Sequence, residues 1–206
     1  ARLIAAELLA KVQQSMQGTP ASWLSGLDER AYAQRYGQTL RYLQTCYRQA
    51  RRVMPPELEE QKAEQLQQLF QRLHDFCNAH EEEVGRLLGE DEDRLESVPK
   101  YYYSELRHRL DCTLPEPPLV LSDTGVLNFL GAEAIACLRS CERFGLLEAQ
   151  RGEEVPADAW RGLAEDERKA ALDIASAIVA VFGEQRAEAS LGLCAKEEQL
   201  LCSEML

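Results

Sequence analysis

The sequence predicts an all-α protein, a multi-helix bundle of about seven or eight helices. Three observations carry this. Apolar residues recur at three- and four-residue steps over most of the chain. Strong stop signals (Gly18-Thr19-Pro20, Pro55-Pro56 and Arg151-Gly152) fall between the periodic stretches. The best candidates for strand, residues 118–121 and 145–148, have no convincing alternating partner nearby.

A first helix is expected over about 3–16, with Leu3, Ile4, Leu8, Leu9 and Val12 on one side. Ser25, followed three residues on by Asp28, resembles a helix N-cap with an acid in the first turn. The second helix, about 27–54, has the cleanest pattern. Tyr36, Leu40, Leu43, Tyr47, Ala50 and Met54 alternate steps of four and three, the seam by which long helices pack side by side. Pro55-Pro56 stops it, and Glu57, Glu59 and Glu60 suit the positive end of a third helix. That helix runs to about residue 88 with Leu66, Leu69, Leu73, Phe76, His80, Val84 and Leu87 along one stripe. So short a break predicts a long antiparallel αα-hairpin over about 27–88.

An acidic turn follows at 89–93, then a fourth helix over about 98–110. Residues 114–121 cannot continue it, because three prolines in four residues remove donors and fix φ. Yet Leu114, Leu119, Val120 and Leu121 are large and apolar, so this stretch is expected to lie as an extended strap on a helical surface. Ser122-Asp123-Thr124 can cap a fifth helix, about 125–144, with Leu127, Leu130, Ala134, Leu138 and Cys141 on its face and Gly145 weakening or ending it. Val155-Pro156 opens a short helix carrying Trp160. Another is expected over about 164–182, and the last residues form one more helix or fray. The domain reading is an N-terminal helical half (1–110), a Pro-rich apolar strap (111–122) and a C-terminal helical half (123–206), packed as one composite domain.

The chain is 45% hydrophobic and 28% charged, which argues against global disorder. No apolar run reaches the ~18–20 residues that span a bilayer, and Glu7 and Lys11 interrupt any signal-peptide core. The formal charge of −12 is polarised: residues 1–56 carry +5, residues 57–110 carry −7 and residues 111–206 carry −10. An acidic body argues against general nucleic-acid binding, and the basic N-terminal segment is expected to dock on the acidic remainder. The seven cysteines are an odd number and mostly sit on predicted helices, which predicts reduced thiols in an intracellular protein, cytoplasmic or nuclear.

Four constellations invite a functional reading. On the second helix, arginines interleave with tyrosines. Arg41, Arg48, Arg51 and Arg52 cluster towards its end, as a basic patch for phosphate or nucleic acid or as cations offsetting the helix dipole. His74, Cys77 and His80 are metal-capable neighbours, but a structural zinc needs four ligands and no second pair lies nearby. Cys137 and Cys141 stand one turn apart with no visible cause for thiolate activation. Tyr101, Tyr102 and Tyr103 spread around a helix at about 100° per residue, so at least one should face outward.

No nucleophile elbow, phosphate loop, zinc-protease or dinucleotide motif occurs, and no histidine is paired with a visible nucleophile, so neither catalysis nor a cofactor or metal is expected. The function expected is a non-catalytic scaffold or adaptor domain. It would take a partner's peptide or amphipathic helix in an inter-helix groove flanked by the fourth and fifth helices, with Tyr101, Tyr103, Arg107, Leu119 and Leu121 as contacts. The alternatives are a constitutive subunit of a larger assembly and a phosphate or nucleic-acid contact through the second helix.

Overall fold

Twelve consecutive residues, 125–136, are buried on every face of one helix. A helix buried all round lies inside a protein, and this one, α5 (Asp123–Gln150), forms the middle of the molecule. The computed structural model describes residues 1–17, 29–88, 98–150 and 156–204, which form seven helices and no strand. Against α5 pack α4 (Val98–Arg109), α6 (Ala157–Phe182) and α7 (Glu184–Glu204). Helix α1 (Arg2–Met16) lies across α6 and α7. Helices α2 (Glu29–Arg52) and α3 (Glu60–Leu88) pack on each other, α3 reaching α6 and α2 reaching α4.

The α2 seam is buried at Tyr36, Leu40, Leu43, Tyr47 and Ala50, and Met54 sits half-buried beyond the helix end. Arg51 donates to Gln67 and Gln71 near one end of the pair, and Gln44 and Arg41 donate to Glu81 near the other. Residue numbers therefore fall along α2 as they rise along α3. Helix α1 is held by apolar burial at Ala5, Leu8, Leu9, Val12 and Met16. Its basic residues meet acids of the C-terminal half, Arg2 with Asp173 at 3.0 Å and Lys11 with Glu188 at 2.8 Å.

Several elements differ from the sequence expectation. Leu3 points outward and Ala5 takes the inner position. Helix α5 does not stop at Gly145, and residues 145–148, a strand candidate, are its next turn. Gly145 is on the exposed face, where a helical glycine costs ~1 kcal/mol, while burying Leu147 contributes ~1.5–3 kcal/mol. The two helices expected around Trp160 and over 164–182 are one, α6, because Trp160, Leu163, Glu167, Ala170 and Ile174 form a continuous buried stripe. The Ser25 cap, the 89–93 turn and the Arg151-Gly152 stop lie outside the described residues.

Residues 111–122 cross from α4 to α5. Leu121 N–H donates to the Val53 carbonyl at 2.8 Å, and Gln49 Nε2 donates to the Pro115 carbonyl at 2.9 Å. The Pro117–Pro118 bond is cis. Leu121 is buried (6% exposed), whereas Leu119 is 67% exposed. The two leucines, alike in sequence, therefore part company: Leu121→Ala should lower stability by about 2–5 kcal/mol, and Leu119→Ala by no more than about 0.5 kcal/mol. Urea unfolding of both variants checks this, and equal losses would contradict it.

At Gly131 side chains of α7 come close to the backbone of α5. A Cβ there would fall 2.9 Å from both Cys194 Sγ and Ser190 Oγ. Only glycine leaves that approach free.

Candidate functional site

The central helix carries two charges into the core. Glu133 is 1% exposed and receives Arg107 Nη2 at 2.5 Å and the Tyr47 hydroxyl at 3.0 Å. Arg107, from α4, also donates through Nη1 to the Tyr42 hydroxyl at 3.1 Å and to Cys46 Sγ at 3.2 Å. Its guanidinium lies over the Phe129 ring, 4.8 Å from the centroid. Burial alone would favour loss of the Arg107 proton, but Glu133, Cys46 and Tyr42 outweigh it, so its pKa lies above the ordinary value.

Six residues further along α5, Arg139 donates through Nη2 and Nε to Glu198 of α7, at 2.6 and 2.8 Å. Glu198 also accepts from the Tyr102 hydroxyl at 3.0 Å and from the Cys202 thiol at 3.2 Å. A third buried carboxyl, Glu167 of α6, accepts from the Tyr36 hydroxyl at 2.6 Å. Each of the three acids thus takes a tyrosine hydroxyl from α2 or α4. Buried charges need such partners, and the space lined by Glu133 and Glu167 is about 10 Å³, room for roughly one water. These groups tie helices to one another inside the core.

Glu167 has a consequence for pH. Burial raises its pKa, and the Tyr36 hydrogen bond only partly opposes that. The folded chain therefore keeps this proton to higher pH than the unfolded chain, which releases it around the ordinary value of 4.5. Stability from this group is complete below that value and declines as pH rises through it towards the raised folded value. Glu167→Gln should remove this part of the slope, at most about 1.4 kcal/mol per pH unit, and stabilise the fold at neutral pH. Thermal unfolding across a pH series measures it, and an unchanged slope would refute it.

The expected partner contacts are scattered. Tyr101 is 55% exposed and Leu119 faces outward. Tyr103, Arg107 and Leu121 are buried, so they are corrected to core positions: Tyr103 packs edge-on to Tyr102, Arg107 pairs with Glu133, and Leu121 is tied to Val53. Arg41, Arg48, Arg51 and Arg52 lie on the exposed face of α2. Arg41 engages Glu81, and Arg51 engages Gln67 and Gln71. Tyr36 and Tyr47 are core residues and Tyr42 is half-buried, so arginines and tyrosines do not form one surface. All seven cysteines are free thiols. Burial pushes Cys112 and Cys194 up to about 12 and raises Cys137 and Cys141 as well, which keeps the Cys137/Cys141 pair protonated rather than reactive.

An open feature lies elsewhere, among the described residues. Leu69, Leu73, Phe76 and His80 share one face of α3, and Asp166, Lys169, Ala170 and Asp173 share the facing side of α6. The side chains do not close over the seam, leaving a cleft of about 200 Å³ with Arg72 at its edge. Its walls are apolar at Leu69, Leu73, Phe76 and Ala170 and charged around them. Drug-sized ligands occupy pockets of ~300–1,000 Å³, so this cleft is smaller than such a pocket.

His80 does not present a base to this cleft. Its Nδ1 lies 2.8 Å from the Phe76 carbonyl and its Nε2 lies 2.9 Å from Asp166, so both nitrogens face acceptors. Among the described residues no group of three or more His, Cys, Asp or Glu side chains could hold a metal ion, and no helix is long and apolar enough to cross a membrane. The cleft has one weak trace in sequence: Ala170, a small residue at an inward position of α6, opposite the stripe of α3. No protein-family model, curated protein or solved structure matches the chain.

Proposed function

We propose that this chain is a non-catalytic protein–protein interaction domain, a scaffold or adaptor of the cytoplasm or nucleus. It would bind a short peptide or amphipathic helix of a partner in the groove between α3 and α6. The observation that supports this is the cleft itself: apolar at its walls, charged at its rim, open to solvent and too small for a drug-sized ligand. In this reading the long α2–α3 hairpin is one wall of the groove and the strap over 111–122 braces the hairpin against α5. The groove replaces the α4–α5 groove expected from sequence, since Tyr103, Arg107 and Leu121 are buried. Ala170→Leu, which adds bulk to the cleft wall, should abolish capture of chains that the unmodified protein captures, at unchanged helical content. Retention of the same chains would sink the proposal.

A second reading is a constitutive subunit of a larger assembly. Leu193 and Leu200 favour it, both exposed on α7 and seven residues apart, hence on one face. Solution mass and stability of the isolated chain separate the two: a subunit gains markedly in stability with its partner chain, whereas an interaction domain unfolds cooperatively alone.

A further inference from the structure

We infer that the α3–α6 groove selects an acidic segment, an apolar side chain flanked by aspartate or glutamate. This inference rests on that groove being the binding site. The acids of the groove are already engaged: Asp166 by His80 at 2.9 Å and Asp173 by Arg2 at 3.0 Å. Its cations are not. Arg72 on α3 and Lys169 on α6 are exposed, border the cleft, and make no ion pair among the described residues. The rim therefore offers two uncommitted positive charges, one from each wall, around an apolar floor. With Asp166 and Asp173 the lining is formally neutral, on a chain of net charge −12.

An apolar side chain entering between Leu73, Phe76 and Ala170 would remove its own surface and theirs from water. Carboxylates on either side of it would then meet Arg72 and Lys169, and Arg72 can take a carboxylate through two parallel hydrogen bonds. A lysine- or arginine-flanked segment would meet the same two cations with like charge. Complementarity of this kind sets partner choice more than raw affinity.

The test is selection of a randomised peptide library displayed on phage against the full chain, followed by fluorescence anisotropy of the enriched peptides. Enrichment of an apolar residue flanked by Asp or Glu is expected. Binding should weaken about tenfold or more on Arg72→Glu with Lys169→Glu, weaken with added salt, and vanish in Ala170→Leu. The milder pair Arg72→Gln with Lys169→Gln should weaken it in the same direction, and thermal unfolding confirms that each variant is folded. Peptides lost in Ala170→Leu but indifferent to, or tightened by, the charge reversal would overturn the acidic segment and leave the groove standing. Peptides unaffected by Ala170→Leu, or no enrichment at all, would overturn both.

Discussion

Arg107→Met should destabilise the fold by about 3–5 kcal/mol, the usual cost of leaving one member of a buried ion pair alone. The guanidinium is 4% exposed and its partner Glu133 is 1% exposed, so water cannot replace either one. Removing Arg107 would leave the carboxylate with the Tyr47 hydroxyl alone, and would take a donor from Tyr42 and Cys46 and a cation from the face of Phe129. Methionine fills comparable volume, so the loss reports charge and hydrogen bonding rather than a cavity. The double variant Arg107→Met with Glu133→Leu should recover much of the loss, since a well-packed apolar pair is often as stable as an ion pair in the same place. Guanidinium chloride unfolding of the two single variants and the double gives the coupling. If the single variants together cost no more than ~1 kcal/mol, the buried pair is not what holds α4 to α5.

Trp160→Ala comes next, at about 3–5 kcal/mol. Trp160 is 1% exposed in the first turn of α6, stacked on Phe144 at 5.6 Å between ring centroids and set edge-on to Tyr32 at 6.2 Å. Tyr36 completes the cluster, 4.8 Å from Phe144 and also edge-on. Offset and edge-to-face pairs add about 0.5–1.5 kcal/mol each beyond burial. The indole joins α2, α5 and α6, so its removal opens a hole between three helices that cannot collapse on one side alone. A fall in the thermal midpoint with loss of near-ultraviolet circular dichroism would be the expected reading. A change below ~1 kcal/mol would show that the cluster repacks.

Much of the helical order was legible because it is local. The seam of α2 and the stripe of α3 are written in steps of three and four, and most of those positions are buried. What could not be read is non-local. Gly145 reads as a stop until Leu147 is known to be buried beside Phe144 in the core. Glu133 and Arg107 stand 26 residues apart on different helices, and no spacing rule joins them. The contact candidates parted because helices turn by about 100° per residue: Tyr101 faces outward while Tyr102 and Tyr103, next to it, pack inside. Which way a run of tyrosines is turned depends on the neighbours, here α2 and α7. The cleft left only Ala170 as a trace for the same reason, being a property of two stripes that face each other.

The central helix is keyed against sliding. Glu133 answers Arg107 of α4, Arg139 answers Glu198 of α7, and Gly131 is the notch that admits Ser190 and Cys194. A slip of α5 by one turn, about 5.4 Å, would bring Cys137 or Phe129 to the level of Arg107 and Arg143 or Ile135 to that of Glu198. It would also push Ile135 or Leu127 into a gap that has no room for a Cβ. An apolar helix packed on all sides could settle at several heights with similar burial. The slip that brings Arg143 to Glu198 keeps an arginine there, but either slip takes Glu133 from Arg107 and drives a side chain into the Gly131 notch, so these two features fix a single height for the whole bundle.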